Sequence, residues 1–172
     1  MNPEQTSFLL HYLATATEPE CATTRKVIAA IPEGQVGFKL DDKSRTALEQ
    51  AWHIVKSEEW FLKSIIAGEF GMEEEKVPEG ATIASVLAEY DAKVPALWAQ
   101  VKALGHEQLS KPISFFGMFN YPAVAYLTFH SNHSIHHRGQ LAAALRPMGS
   151  KVPSIYGGSA DEPFQAPAGA AA

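Results

Sequence analysis

Thr46 and Glu49 stand at the head of a run whose apolar positions recur at helical spacing: Leu48, Trp52, Val55, Phe61, Leu62 and Ile65. A threonine and a glutamate three residues apart can cap a helix reciprocally, and Gly68 and Gly71 mark where this one ends. An amphipathic helix of that length is unstable alone and has to bury its stripe against other elements. The rest of the chain therefore has to supply helical partners for it.

Three further stretches do so. Residues 17–31 read as a helix with Thr17 as N-cap, Pro19 in its first turn and Glu20 completing a capping box. Its stripe is Val27, Ile28 and Ile31. Residues 82–104 repeat Ile83, Val86, Leu87, Tyr90, Val94, Leu97 and Val101 at helical spacing, with a kink expected at Pro95. A last helix runs from about Pro122 to Leu145 and is stopped by Pro147 and Gly149. A short helical segment, with Phe8, Leu9, Tyr12 and Leu13 on one face, precedes them. Residues 72–80 form a charged link. Residues 105–122 are the longest connection, where Phe115, Phe116, Met118 and Phe119 are too apolar for a solvated loop and are expected to cover one end of the fold. No stretch alternates clearly as a strand does. The pattern predicts one all-α domain over residues 1–172: a four-helix bundle with a core at about 20–150, an extra N-terminal helical segment, and an irregular tail at 151–172 whose last ten residues are expected to be mobile.

Composition narrows the function classes. A formal charge of −5 argues against a nucleic-acid binder, which needs a concentrated basic surface. Cys21 is the only cysteine, which excludes an internal disulfide, and it reads as a small buried helix residue rather than a reactive thiol. The N-terminus lacks the basic start and apolar run of a signal peptide, and no stretch approaches the roughly 18 apolar residues of a membrane span. The expectation is a soluble, cytoplasmic protein.

The chemistry concentrates in "HSNHSIHHRGQ", residues 130–140, which holds four of the seven histidines. A helix turns about 100° and rises about 1.5 Å per residue, so His133 and His137 lie one turn apart on one face. That spacing lets two imidazoles grip one ion. His130 is nearly two turns from His137, and His136 points about 100° away from it. Two ligands make no convincing site, because a zinc-type centre usually has three plus an open position. The best third candidate is His53, on another helix between Trp52 and Ile54; His11 and His106 are weaker choices. From spacing alone, metal ligation and ordinary hydrogen-bonded histidines stand about equal. Gly139 inside the helix suggests close approach of another element, and Arg138 suggests a salt bridge or a solvated side chain. Gln140 and Glu49 are within helical reach of the histidines, although Glu49 also has its capping role.

"ALEQAWHIVKSEEWFL" together with "NHSIHHRGQLAAALRPMG" resembles the DinB (DinB/YfiT-like) family of small helical metalloproteins. Its pattern is one histidine on the second bundle helix and an HxxxHRGQ motif on the last. The resemblance covers about residues 20–150. It implies a divalent-metal site of His53, His133 and His137; helix geometry offers His130, Gln140 and Glu49 as supporting residues, and imidazole ligands suit zinc, nickel or iron as the ion. An ion held by three neutral imidazoles keeps its charge and an open position, so it can lower the pKa of a water or hold a thiolate or carbonyl oxygen. The resemblance therefore implies a metal-dependent enzyme acting on a small molecule, a hydrolase or thiol S-transferase. The alternative is a non-catalytic metal-binding stress-response protein or dimeric scaffold. A homodimer is expected, because family members often pair.

Overall fold

The computed structural model describes residues 1–164. The chain is mostly helical with one small two-stranded sheet. In order it forms α1 (Pro3–Thr17), α2 (Glu20–Ala29), α3 (Ala47–Ala67), α4 (Ile83–Lys102), α5 (His106–Ser110), β1 (Pro112–Phe115), β2 (Phe119–Pro122) and α6 (Tyr126–Leu145). Helix α3 packs on both α4 and α6, and α2 packs on the same two helices. Ile28, Ile54, Val55, Leu62, Val86, Val94, Trp98, Leu127 and Leu145 are essentially buried between them. No described helix is long and apolar enough to cross a membrane.

The ends of α3 follow the expected chemistry. The Thr46 hydroxyl accepts from the Glu49 amide (3.1 Å), and the Glu49 carboxylate accepts from the Thr46 amide (2.7 Å). Two more amides at this end, of Ala47 and Leu48, donate to Phe38 and Val36 of the preceding connection. That connection is thereby tied to the helix, and amides that have no partner within a helix are satisfied. At the other end Gly68 has φ 75°, the left-handed conformation that glycine adopts without steric cost. Helix α4 continues through Pro95, which denies the Asp91 carbonyl its helical donor.

Three expectations change. Thr17 does not cap α2: it is buried at the end of α1, and α2 begins after Pro19 with no side-chain cap. Gly139 is not a point of close approach, since a Cβ there would meet nothing within 4 Å. The 105–122 connection is not wholly irregular, because it contains α5 and an antiparallel hairpin pairing Ile113 with Tyr121 and Phe115 with Phe119. Phe115 and Phe119 stack (centroids 5.0 Å) and, with Tyr126 and Phe129, cover that end of the fold. Phe116 and Met118 at the hairpin tip are instead exposed. The tip also carries strain: Phe116 has φ 51° and Gly117 φ 76°. The left-handed region costs a residue with a Cβ roughly 1–2 kcal/mol.

The tail is irregular but docked as far as it is described. Asp161 pairs with Arg146 (2.9 Å) and Glu162 with Lys26 (2.7 Å). Of the last ten residues, expected to be mobile, 165–172 lie outside the described residues. Arg138 anchors this arrangement from inside. Only 1% exposed, it donates to Tyr156 of the tail (2.6 Å) and to Thr24, and it pairs with Glu20 of α2 (2.6 Å). Removing one side of a buried ion pair leaves a charge without compensation. Arg138→Met should therefore lower the unfolding free energy by about 3 kcal/mol. Arg25→Ala, which breaks the exposed Asp91 pair of similar length, should cost far less, because solvent screens it. Urea unfolding of the two variants measures the difference, and equal losses would contradict the anchoring role.

Candidate metal centre

Helix α3 contributes His53, and α6 contributes His133 and His137 from successive turns of one face. The packing of α3 on α6 brings the three rings together. Centroids are 5.1 Å apart for His53–His133 and 4.3 Å for both His53–His137 and His133–His137. One nitrogen from each lies within 4.8 Å of the other two, so the three side chains can hold a metal ion.

Hydrogen bonds orient two of the rings. His53 Nδ1 lies 2.7 and 2.8 Å from the carboxylate oxygens of Glu75. A proton on Nδ1 donating to that carboxylate leaves the Nε2 lone pair free. Nε2 is buried and has no hydrogen-bond partner among the described residues. Both nitrogens of the core residue His130 are likewise buried without a partner, so what distinguishes His53 is that its free nitrogen lies beside two further imidazoles, as a ligand nitrogen requires. His137 Nδ1 lies 2.9 Å from Gln140 Oε1, and the same tautomer again frees Nε2. The Gln50 amide donates to Gln140 Oε1 (3.1 Å) and to the His137 carbonyl (3.1 Å), and it also lies 3.0 Å from His137 Nδ1. His133 is held by packing, between the other two rings and Phe61. The donor set, three imidazoles with a carboxylate behind one, fits a divalent ion such as zinc.

The remaining candidates fall elsewhere. Glu49 closes the α3 capping box and makes no contact with the cluster. His130 turns into the core against Trp98 (5.5 Å) and Phe61 (6.3 Å), 2% exposed. His136 is exposed and meets only Gln140 among the hydrogen-bonding side chains described. His11 is exposed, and His106 bonds Thr6 (2.9 Å). Glu75 and Gln50 were not anticipated. Glu75 belongs to a run of three glutamates that reads as solvated, so nothing in the sequence distinguishes it. Gln50 could have been found, because it sits one residue short of a full turn before His53.

A second polar group lies deeper. Glu58, 2% exposed, accepts from Ser134 and from Tyr90 (2.8 Å), with the Cys21 sulfur at 3.9 Å. Burial raises the Glu58 carboxyl above its ordinary value and pushes the Cys21 thiol up to about 12, which disfavours the reactive thiolate.

Two cavities adjoin the three histidines. One of about 330 Å³ is lined by His53, His133, Glu75 and the rings of Trp60, Phe61 and Phe116. The other, about 720 Å³, opens beside His137 and Gln140 between Lys43, Arg45 and Leu141.

Burial pushes His133 and His137 down from 6.5 to about 4, with the neighbouring imidazoles adding to the effect, and burial pushes His130 down to about 3. The sign follows from linkage. Below pH 6.5 the unfolded chain takes up protons at these rings, while the folded chain resists until about pH 4, or about pH 3 for His130. Stability present above pH 6.5 is therefore lost as the pH falls through that window. Urea midpoints of chelator-treated protein should fall steadily across it, and less steeply in His130→Leu. A flat profile would contradict burial of neutral imidazoles.

The comparisons agree with this architecture. A crystal structure of a DinB-like protein from Bacillus subtilis matches with a TM-score of 0.66 at 22% identity, covering 83% of this chain and 95% of that one. A DinB-like protein from Bacillus cereus matches with a TM-score of 0.67 at 24% identity, covering 80% and 91%. A variant of a mycothiol-dependent maleylpyruvate isomerase matches with a TM-score of 0.50 at 12% identity, covering 82% and 61%. These likenesses speak for the fold alone. No curated protein matches the sequence. The DinB family model matches residues 4–166, so it takes in α1 and the docked tail as well as the 20–150 region where the motifs lie, and the chain belongs to the DinB family.

Proposed function

We propose that α2, α3, α4 and α6 form a four-helix bundle whose His53, His133 and His137 bind one divalent metal, and that the centre acts catalytically on a small molecule. The observation that carries the metal reading is His53: its Nδ1 is held by Glu75 while its buried Nε2 has no hydrogen-bond partner among the described residues and sits beside two further imidazoles. When bound, such an ion supplies a Lewis-acid charge for a small oxygen or sulfur donor. Glu75 fixes the tautomer and direction of His53, and Gln140 does the same for His137. The cavities beside the histidines favour a reactive site over a sealed structural one. A structural neighbour that is mycothiol-dependent supports a thiol among the candidate substrates. Hydrolase and thiol-transferase chemistry both fit this reading. A dimer of the chain belongs to it too, and sedimentation at tens of micromolar tests that part.

Elemental analysis of protein purified without an affinity tag should find close to one divalent ion per chain. Zinc titration against a competing chelator should show that His53→Ala, His133→Ala and His137→Ala each lose at least about 100-fold in affinity. Glu75→Gln should lose about 10–100-fold, the usual effect of removing a ligand's supporting partner. His136→Ala should bind as the wild type does, and loss there with retention in His53→Ala would overturn the ligand set. Catalysis needs an open position. The visible spectrum of cobalt-loaded protein should therefore shift on addition of a small thiol, and an unchanged spectrum would leave the scaffold reading.

A further inference from the structure

Phe116 is in the wrong place for its residue type. It occupies the first position of the hairpin connection, where both central residues have positive φ and the Met118 amide bonds the Phe115 carbonyl (3.0 Å). Turns of this kind take asparagine, aspartate or glycine at that position. A bulky side chain held there, half exposed, needs a reason outside the turn, and strained positions gather at sites that bind. The surroundings supply one. The Phe116 ring lies parallel to Trp60, within 9° and with centroids 6.3 Å apart. Trp60 is itself pinned, its indole N–H donating to the Gly71 carbonyl (2.7 Å) and its ring meeting Phe61 and Phe70 at 5.0 Å. The two parallel rings wall the 330 Å³ cavity that also contains His53 and His133.

The opposite rim is acidic. Glu73, Glu74 and Glu75 face the same cavity, and its one lysine, Lys56, is already engaged by Glu59 (2.9 Å) and Glu89 (3.4 Å). An anionic group would be repelled there, whereas a flat apolar group can lie against the rings.

We propose that Trp60 and Phe116 form the specificity wall of this site, binding a planar, uncharged or cationic apolar group of a small molecule whose donor atom is held at the histidines. This rests on the metal reading above, and the experiment separates the two. Benzohydroxamate and acetohydroxamate share one metal-binding group and differ in the ring. Zinc-loaded protein should bind the aryl compound about tenfold more tightly, in line with a stacking contact added to apolar burial. A carboxylate in the para position should abolish that preference. In Phe116→Asn, which suits the turn, the aryl-to-alkyl ratio should fall to about two or less. Phe116→Leu, which keeps bulk but removes the ring, should behave alike, and thermal unfolding of both variants reports whether they fold.

A second arm omits the metal. In chelator-treated protein, saturation-transfer NMR should detect benzamide but not acetamide, and the benzamide signal should disappear in both variants. If zinc binds and the wild type shows no aryl preference, or the variants keep it, the wall is overturned and the metal reading stands. If zinc does not bind, the metal reading fails and the benzamide arm alone decides: loss of signal in the variants sustains the wall, and persistence overturns it.

Discussion

The packing of α3 against α6 is the contact on which the rest depends. It joins the best-capped helix of the chain to the helix that carries the histidine cluster, and it sets His53 against His133 and His137. Apolar burial drives it: Ile54, Leu62, Leu127 and Leu145 are fully buried. Polar groups then fix its register. The Gln50 amide reaches across from α3 to the His137 carbonyl and to Gln140, and Ser134 of α6 donates to Glu58 of α3. Sliding one helix by a turn would break these contacts together and carry His53 away from its partners. Directional bonds in an otherwise apolar seam select one arrangement from several that apolar packing alone would tolerate.

Much of this architecture can be read from local signals. Capping boxes, helical stripes and glycine stops are written in adjacent residues, and α3, α4 and α6 follow them closely. The i, i+4 spacing of His133 and His137 belongs to the same class, since helix geometry alone puts them on one face. His53 is different. Its position on a partly apolar helix makes it the best third candidate, and the family resemblance points to the same residue, but spacing cannot place it because the contact crosses 80 residues or more of chain. Glu75 had no signal at all: one glutamate among three becomes the partner of His53 only when the 68–82 connection folds back over α3. The hairpin was hidden for another reason. Each strand has only four residues, and the single polar pair on the exposed face, Ser114 with Asn120, is too short an alternation to stand out among the surrounding aromatics. Thr17 shows the opposite failure, a sound local capping signal overridden because α1 runs on and buries the residue.

Arg138 and Glu58 show how the motif around the histidines serves the fold as well as the site. Residues 133–140 present two faces. His133 and His137 meet His53 of α3, while Ser134 and Arg138, one residue on from each, meet Glu58 of α3 together with Thr24 and Glu20 of α2. One stretch of helix therefore positions the histidine cluster and ties α2 and the tail to the same frame. Substitutions in this motif will often change stability and ligand geometry together, so affinity changes there need a folding measurement beside them.

The same arrangement sets the conditions under which the centre can exist. Three close imidazoles have to remain neutral to offer lone pairs, and burial together with mutual repulsion holds His133 and His137 in that form well below the usual histidine range. The fold thus carries in advance part of the cost of assembling the ligand set, as an acid-sensitive strain in the metal-free protein. An ion that binds the folded chain and not the unfolded one recovers that cost and adds its own binding energy to stability. Metal occupancy and resistance to acid should consequently rise and fall together in this protein. A variant that weakens metal binding without removing an imidazole would expose the strain most directly, and Glu75→Gln, which takes away the carboxylate behind His53, is such a variant.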